Sequence, residues 1–155
     1  MKYRGGSVVV IRKIKITDLP DLYDLYTVLC EEEGNMEVME KTFSLLDKNE
    51  DYYLLGAEMD GKIVGTLMGI VCHDLAGKYR AFMTIENVIV LEAYRGGGVA
   101  KNLFKHIEEI ACQRECRYIY LVSRNSREVA HKMYGKLGYR CDNVTGFKKF
   151  LDLKA

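Results

Sequence analysis

The sequence predicts an α/β (α+β) fold, a mixed and mostly antiparallel central sheet of six to seven strands flanked by about four helices, with one parallel crossover. Two observations carry this expectation. Tyr52 to Met59 and Lys62 to Cys72 read as strands joined by Asp60-Gly61, the strongest short-range hairpin signal a sequence offers. Farther on, Val99, Leu103, Ile107, Ile110 and Ala111 repeat at helical spacing between two strand-like runs, Phe82 to Leu91 and Tyr118 to Val122, which makes a strand, helix, strand crossover.

In chain order, Val8 to Ile16 alternates between apolar and basic residues and reads as a strand with one exposed face. Thr17 then offers a helix cap, with Pro20 tolerated in the first turn. Leu19, Leu22, Tyr23, Tyr26, Leu29 and Cys30 form one helical face, and Gly34 is placed to stop the helix. A second short helix carries Met39, Thr42, Phe43 and Leu46. After the hairpin and a polar loop around 77–80, the run Phe82 to Leu91 is rich in Ile, Val and Met, as for a central strand covered on both faces. A last helix bears Ala130, Met133, Tyr134 and Leu137 and ends at Gly138, leading to strand-like Tyr139 to Cys141 and Phe147 to Leu153.

The 155 residues match one domain, 1–155, able to bury a core without metal or disulfides. With 23 Lys and Arg against 22 Asp and Glu, net charge calls for no polyanionic partner, so nucleic acid is not expected. Five cysteines without C-x-x-C spacing sit mostly among apolar neighbours and point to a reducing cytoplasm. Cys112 and Cys116 are spaced to share a helix face but lack further ligands, and no metal is expected. Val8 to Ile11 is too short for a signal-peptide core, and no segment approaches the ~20 apolar residues of a membrane span.

The stretch AYRGGGVAKNLF, Ala93 to Phe104, sets three glycines between a strand and an amphipathic helix. Such a turn leaves the first N–H groups of the helix without partners and aims them, with the positive dipole end, at an anion such as phosphate. A P-loop needs Gly-Lys followed by Ser or Thr, and here Gly98 precedes Val99-Ala100. A dinucleotide fingerprint would put its last glycine at Lys101. Both readings fail. Arg95-Gly-Gly-Gly-Val-Ala100 fits [RQ]-x-x-G-x-[GA], and Asn125, Ala130, Tyr134, Gly138 and Tyr139 fit N-x4-A-x3-Y-x3-G-[FY]. With both motifs in this order, the chain resembles the GNAT superfamily of N-acetyltransferases, well over its second half and in element order over its first. Ala93, where many relatives have proline, is a small departure.

The resemblance implies acetyl-CoA as acetyl donor. Its pyrophosphate would lie on Arg95, Gly96, Gly97, Gly98, Val99 and Ala100, and its pantetheine arm along Val88, Ile89 and Val90. Asn125 and Ala130 would join the cofactor site; Asn125 reads equally as a helix cap. A backbone N–H near Val90 would meet the developing oxyanion. Tyr134 resembles the general acid to the CoA sulfur, its phenol with a reference pKa near ~10 being protonated at neutral pH; the alternative is an ordinary tyrosine of the apolar helix face. Glu86, inside an apolar strand, is the candidate base, its pKa expected to rise by desolvation, or else a structural acceptor; Asn87 should point to the opposite face as a structural residue.

The implied function is transfer of acetyl from acetyl-CoA to a primary amine by direct attack in a ternary complex. The alternative is a non-catalytic acyl-CoA-binding sensor or regulatory domain. The acceptor, a small molecule or a peptide amine, is not legible, though the acidic run Glu31 to Glu33 with Glu37 would suit a cationic amine. IENVIV resembles amino-sugar phosphate acetyltransferases, in which case Lys78 and Arg80 would meet a sugar phosphate. His73 and Asp74 close a strand and either face the acceptor or are simply solvated or packed, while His106 and His131 read as exposed. Many members of the superfamily dimerise, so a homodimer is one possible assembly.

Overall fold

Asp60 and Gly61, at φ 51° and 78°, both take left-handed backbone, the pair of conformations a two-residue type I′ hairpin demands. They join β2 (Tyr52–Met59) to β3 (Lys62–Cys72) in antiparallel register. Around this hairpin the computed structural model, which describes residues 8–76, 81–142 and 144–151, builds a five-stranded sheet of order β1-β2-β3-β4-β5, with β1 at Val10–Lys13, β4 at Phe82–Val90 and β5 at Ile119–Leu121. The first four strands run antiparallel, and β5 pairs parallel with β4 through the crossover helix α3 (Val99–Gln113). The chain divides into two compact units, Met1–Leu121, which holds the sheet, and Val122–Ala155, which holds α4 (Glu128–Lys136).

Strand β3 is buried on both faces, because its alternate residues meet different helices. Gly65 and Gly69 lie against Val99 and Ile107 of α3, while Met68 and Thr66 face α1 (Leu19–Cys30). Helix α3 inserts Val99, Leu103, Phe104, Ile107 and Ala111, each worth about 1.5–3 kcal/mol on burial when large and aliphatic or aromatic. On the other face Leu19, Leu22 and Leu25 of α1 pack with Ile14, Ile63 and Ile89, and with Phe43 of α2 (Met36–Asp47). The Asp21 carboxylate accepts from the Ile63 N–H at 2.8 Å and ties the first turn of α1 to β3.

Several boundaries differ from the sequence reading. The first strand is four residues long. Helix α1 begins at Leu19, after a 3₁₀ turn over Ile16–Asp18, so Asp18 and not Thr17 sits at its N-cap. The helix ends where Glu31 turns left-handed, φ 62°, three residues before Gly34. Among the described residues the sheet has five strands instead of six or seven. Tyr139 cannot open a strand because its N–H is spent on the Tyr134 carbonyl (3.0 Å), while Gly138 N–H bonds Gly135 (3.1 Å), a Schellman ending for α4. Between Phe147 and Leu151 the apolar residues are split by Lys148-Lys149, a spacing that does not alternate, and Phe147 is 95% exposed; Asp152 and Leu153 lie outside the described residues.

The cysteines also depart from expectation. Cys30, Cys112 and Cys141 are exposed, and Cys116 follows the end of α3, so it shares no helix face with Cys112. Among the described residues no group of three His, Cys, Asp or Glu could hold a metal ion, and no helix is long and apolar enough to cross a membrane.

A cluster at the sheet edge fixes the entry to α1. The Arg12 guanidinium donates twice to the Asp18 carboxylate (2.6 and 3.0 Å) and also bonds Glu58, and Asp18 accepts from the Lys15 N–H at 2.7 Å. Hydrogen bonding to Arg12 holds the Asp18 carboxyl below its usual range, against an opposing effect of burial. A depressed carboxyl stabilises the fold above its unfolded value, near ~3.9, and that stability is lost as pH falls through the lower folded value. Asp18→Asn should therefore cost about 1–2 kcal/mol at pH 7, with the gap from the parent chain closing below about pH 4; chemical denaturation across pH checks this, and a gap independent of pH would refute it.

Candidate active site

The register between β3 and β4 jumps from Thr66↔Ile89 to Met68↔Glu86. Leu67 thus faces two residues of β4, Asn87 and Val88, and Asn87 sits at φ 55°. This is a β-bulge, which breaks alternation and re-aims side chains. Glu86 and Asn87 are both exposed, so the burial expected of Glu86 does not hold. Asn87 shares the α1 side of the sheet with Met68, the register partner of Glu86, so its opposite-face placement does not hold either. β4 is covered on both faces at Met83 to Ile85 and at Ile89 and Val90 but not at the bulge.

Beyond the bulge β4 loses its parallel neighbour. Pairing with β5 covers Met83, Thr84 and Ile85 and then stops, so among the described residues Glu86 to Val90 have no strand on that side. Leu91 N–H bonds the Val64 carbonyl at 2.9 Å, which makes Gly65↔Val90 a non-hydrogen-bonded pair and turns the Val90 N–H and C=O away from β3, toward the open edge. The Val90 carbonyl is claimed by Arg95 Nε at 3.0 Å. Its N–H is left facing that edge. Ile89 and Val90 keep their side chains buried, and Val88 is half-buried.

A 3₁₀ turn, Glu92–Tyr94, then delivers the chain to the glycines. Gly96 and Gly98 stand at φ 78° and 87°, conformations costly for any residue with a Cβ, and the space beside Gly96 is open. Gly98 is the N-cap of α3, its carbonyl accepting from Asn102 at 3.0 Å. The N–H groups of Val99, Ala100 and Lys101 accordingly have no intrahelical acceptor. The Val99 side chain is buried, and that of Ala100 half-buried, so backbone is what this turn presents. Gly97 is half-buried between them.

A pocket of about 370 Å³ opens on the α1 side of the sheet, bounded by α1, α2 and the loop between them, and it reaches Met68 and Asn87. Tyr23 Oη donates to the Gly34 carbonyl at 3.2 Å and pins the loop, and Asn35 caps α2 by accepting from Val38 N–H at 3.0 Å. Glu32 and Glu33 stand at the mouth, whereas Glu37 is paired with Lys41 at 2.6 Å. Tyr26 forms part of the wall. Burial pushes its phenol up to about 12, and its hydroxyl is hydrogen-bonded by Thr66 and Asn87.

The second unit carries the remaining sequence candidates. Tyr134 lies on α4, partly buried, with its ring 6.3 Å from Tyr139 in an edge-on arrangement. Burial raises its phenol pKa, against a lowering effect of Arg127. Ala130 is half-buried in the same helix. Asn125 is exposed in a turn closed by Arg127 N–H on the Arg124 carbonyl (3.0 Å); the N-cap of α4 is Arg127, so Asn125 does not cap it.

His73 Nε2 lies 3.2 Å from the Asp51 carboxylate, which also takes Arg114 at 2.6 Å. His106 is half-buried, not exposed, and His131 is exposed, 3.1 Å from Ser123 Oγ. Lys78 and Arg80 lie outside the described residues. Tyr26 escaped the sequence reading as one more residue on an apolar helix face. Asn87 gave a signal, an Asn within an apolar strand, since Asn tolerates left-handed backbone better than most residues.

The model of the Acetyltransferase (GNAT) family matches residues 19–139. Streptothricin acetyltransferase of Escherichia coli is 27% identical over 101 residues, 65% of this chain and 55% of that protein. Glucosamine 6-phosphate N-acetyltransferase of Trypanosoma brucei brucei is 35% identical over 80 residues, 52% of each. The chain thus spans about half the length of these two relatives. Among solved structures, a putative acetyltransferase from Agrobacterium tumefaciens superposes with a TM-score of 0.85 at 28% identity, over 92% of this chain and 99% of the other. A strand with an open edge, a glycine turn and a helix with free leading amides, all within the matched residues, agree with that result: the chain belongs to the acetyltransferase (GNAT) family.

Proposed function

We propose that the chain is an N-acetyltransferase that moves the acetyl group of acetyl-CoA to a primary amine by direct attack in a ternary complex. The observation that carries this reading is the continuity of the open β4 edge, the outward Val90 N–H and the glycine turn along one stretch, residues 86–101. The residues present fit the group. Leading amides of α3 and the free space at Gly96 suit a diphosphate, and the unpaired edge of β4 offers backbone groups to an amide-bearing arm.

Acetyl-CoA, when bound, supplies an acetyl group activated as a thioester. Gly96, Gly97, Gly98, Val99 and Ala100 hold its diphosphate through main-chain N–H groups, with Arg95 clasping the strand beside them. Val88 to Val90 align the pantetheine arm, and the Val90 N–H donates to the thioester carbonyl oxygen as negative charge gathers there. Glu86 takes the proton of the attacking amine, directly or through water, as the nitrogen bonds to the acetyl carbon and the C–S bond breaks. Tyr134 returns a proton to the departing sulfur, its raised pKa keeping the phenol protonated at neutral pH. Asn125, toward the pantetheine or adenosine end, and Ala130 complete the residues assigned to the cofactor.

Acetyl-CoA and CoA should each raise the melting temperature of the chain while NADH does not, because only a ligand of the folded state stabilises it. Gly98→Val should lower acetyl-CoA affinity at least about tenfold, by straining the turn and covering its amides. Stabilisation by NADH alone would remove the cofactor assignment. Tyr134→Phe and Glu86→Gln should each reduce kcat by roughly 10²-fold or more while acetyl-CoA affinity stays nearly constant. If neither substitution changes turnover, or no turnover exists to change, a regulatory acyl-CoA-binding domain becomes the better description.

A further inference from the structure

We infer that the acceptor is a primary amine carried on an apolar, uncharged body, seated in the α1–α2 pocket with Asn87 as its polar anchor; this rests on the acetyltransferase reading above. The pocket has the size of a small-molecule site, and its floor and walls are aliphatic, aromatic and thioether groups, including Leu22, Met39, Phe43, Leu54 and Met68. No lysine, arginine or histidine lines it among the described residues. A phosphate entering such a space would lose its hydration with no cation among the described lining residues to replace it.

A polyhydroxylated amine fares little better, because the donors of the pocket's own hydroxyl groups are already committed. Thr27 Oγ1 donates to the Tyr23 carbonyl at 3.0 Å, Thr42 Oγ1 to the Val38 carbonyl at 2.8 Å, and Tyr23 Oη to Gly34. Away from Glu32, Glu33 and Asn35 in the loop, the α-helical walls keep no uncommitted side-chain hydroxyl donor for the oxygens of a sugar buried here.

On the sheet side of the pocket the polar side chain is Asn87, and the bulge is what brings it there. Thr66 Oγ1 donates to the Leu55 carbonyl at 2.7 Å, which leaves its oxygen to accept from the Tyr26 hydroxyl, and Asn87 bonds the same phenol through its amide N–H. A relay from β2 through β3 and α1 thereby fixes the carboxamide. Its oxygen is the acceptor remaining for an amine N–H, one residue from Glu86. Glu32 and Glu33 at the mouth attract the protonated form of the incoming amine. Tyr26 is a positioning residue, acting through Asn87.

The test is a panel on the full chain with saturating acetyl-CoA, reading thiol release: phenethylamine and hexylamine against glucosamine 6-phosphate and kanamycin. Both apolar amines should show kcat/KM at least about tenfold above either sugar. Asn87→Ala should raise KM for phenethylamine about tenfold, and Tyr26→Phe several-fold with kcat changed less, while acetyl-CoA still raises the melting temperature of both variants. A preference for either sugar, or no turnover of the apolar amines by a chain that acetyl-CoA stabilises, overturns the acceptor assignment alone. Failure of acetyl-CoA to stabilise the parent chain overturns the acetyltransferase reading, and the acceptor assignment falls with it.

Discussion

One extra residue in β4 organises the rest of the candidate site. Where Leu67 faces both Asn87 and Val88, the strand bends, two consecutive polar side chains emerge on the exposed side, and the ladder to β5 has already ended at Ile85. Without the bulge, Glu86 and Asn87 would obey alternation and point to opposite faces. With it, a carboxylate stands next to a carboxamide that lines an apolar pocket, on a strand whose Val90 turns its backbone outward. A central strand normally spends its backbone groups on two neighbours; here a stretch of one spends them on β3 alone.

The remainder of the first unit holds that strand in place. β3 is enclosed by α1 on one face and α3 on the other, so its pairing with β4 cannot slip by one residue without exposing Leu67 and Val71 or burying the wrong set. Gly65 and Gly69 let α3 approach closely, which brings the helix start, and with it the glycine turn, directly after the end of β4. Asp21 on Ile63 and Arg12 on Asp18 fix α1 at its beginning, and α1 carries Tyr23 and Tyr26 to the pocket.

Much of this arrangement was legible from residue patterns, and the failures have physical causes. Asp60-Gly61 announced its hairpin because few residue pairs tolerate two left-handed positions in succession. Helix α3 declared itself through the helical spacing of Val99, Leu103, Ile107 and Ala111, all buried, with Ile110 half-buried, and the glycines marked the turn before it. The bulge was not legible, since it depends on how Leu67 meets β4 across the sheet, and so the exposure of Glu86 and the placement of Asn87 were misread. The ends of α1 were displaced because Asp18 outcompetes Thr17 by bonding Arg12 and Lys15, partners six and three residues away, and because Glu31 accepts the left-handed position that Gly34 was expected to take. Tyr139 looked like the start of a strand until the Schellman ending of α4 consumed its N–H.

The hydrogen bond from Arg95 Nε to the Val90 carbonyl has a consequence for molecular measurement. It closes a ring of chain from Val90 through the 3₁₀ turn to Arg95, so the spacing between the outward amide of Val90 and the amides after Gly98 is set by a braced segment instead of a slack loop. A ligand gripped at both places is thereby gauged against a ruler built from the backbone itself. Arms that are too short or too long must either let go of one end or unfasten the arginine.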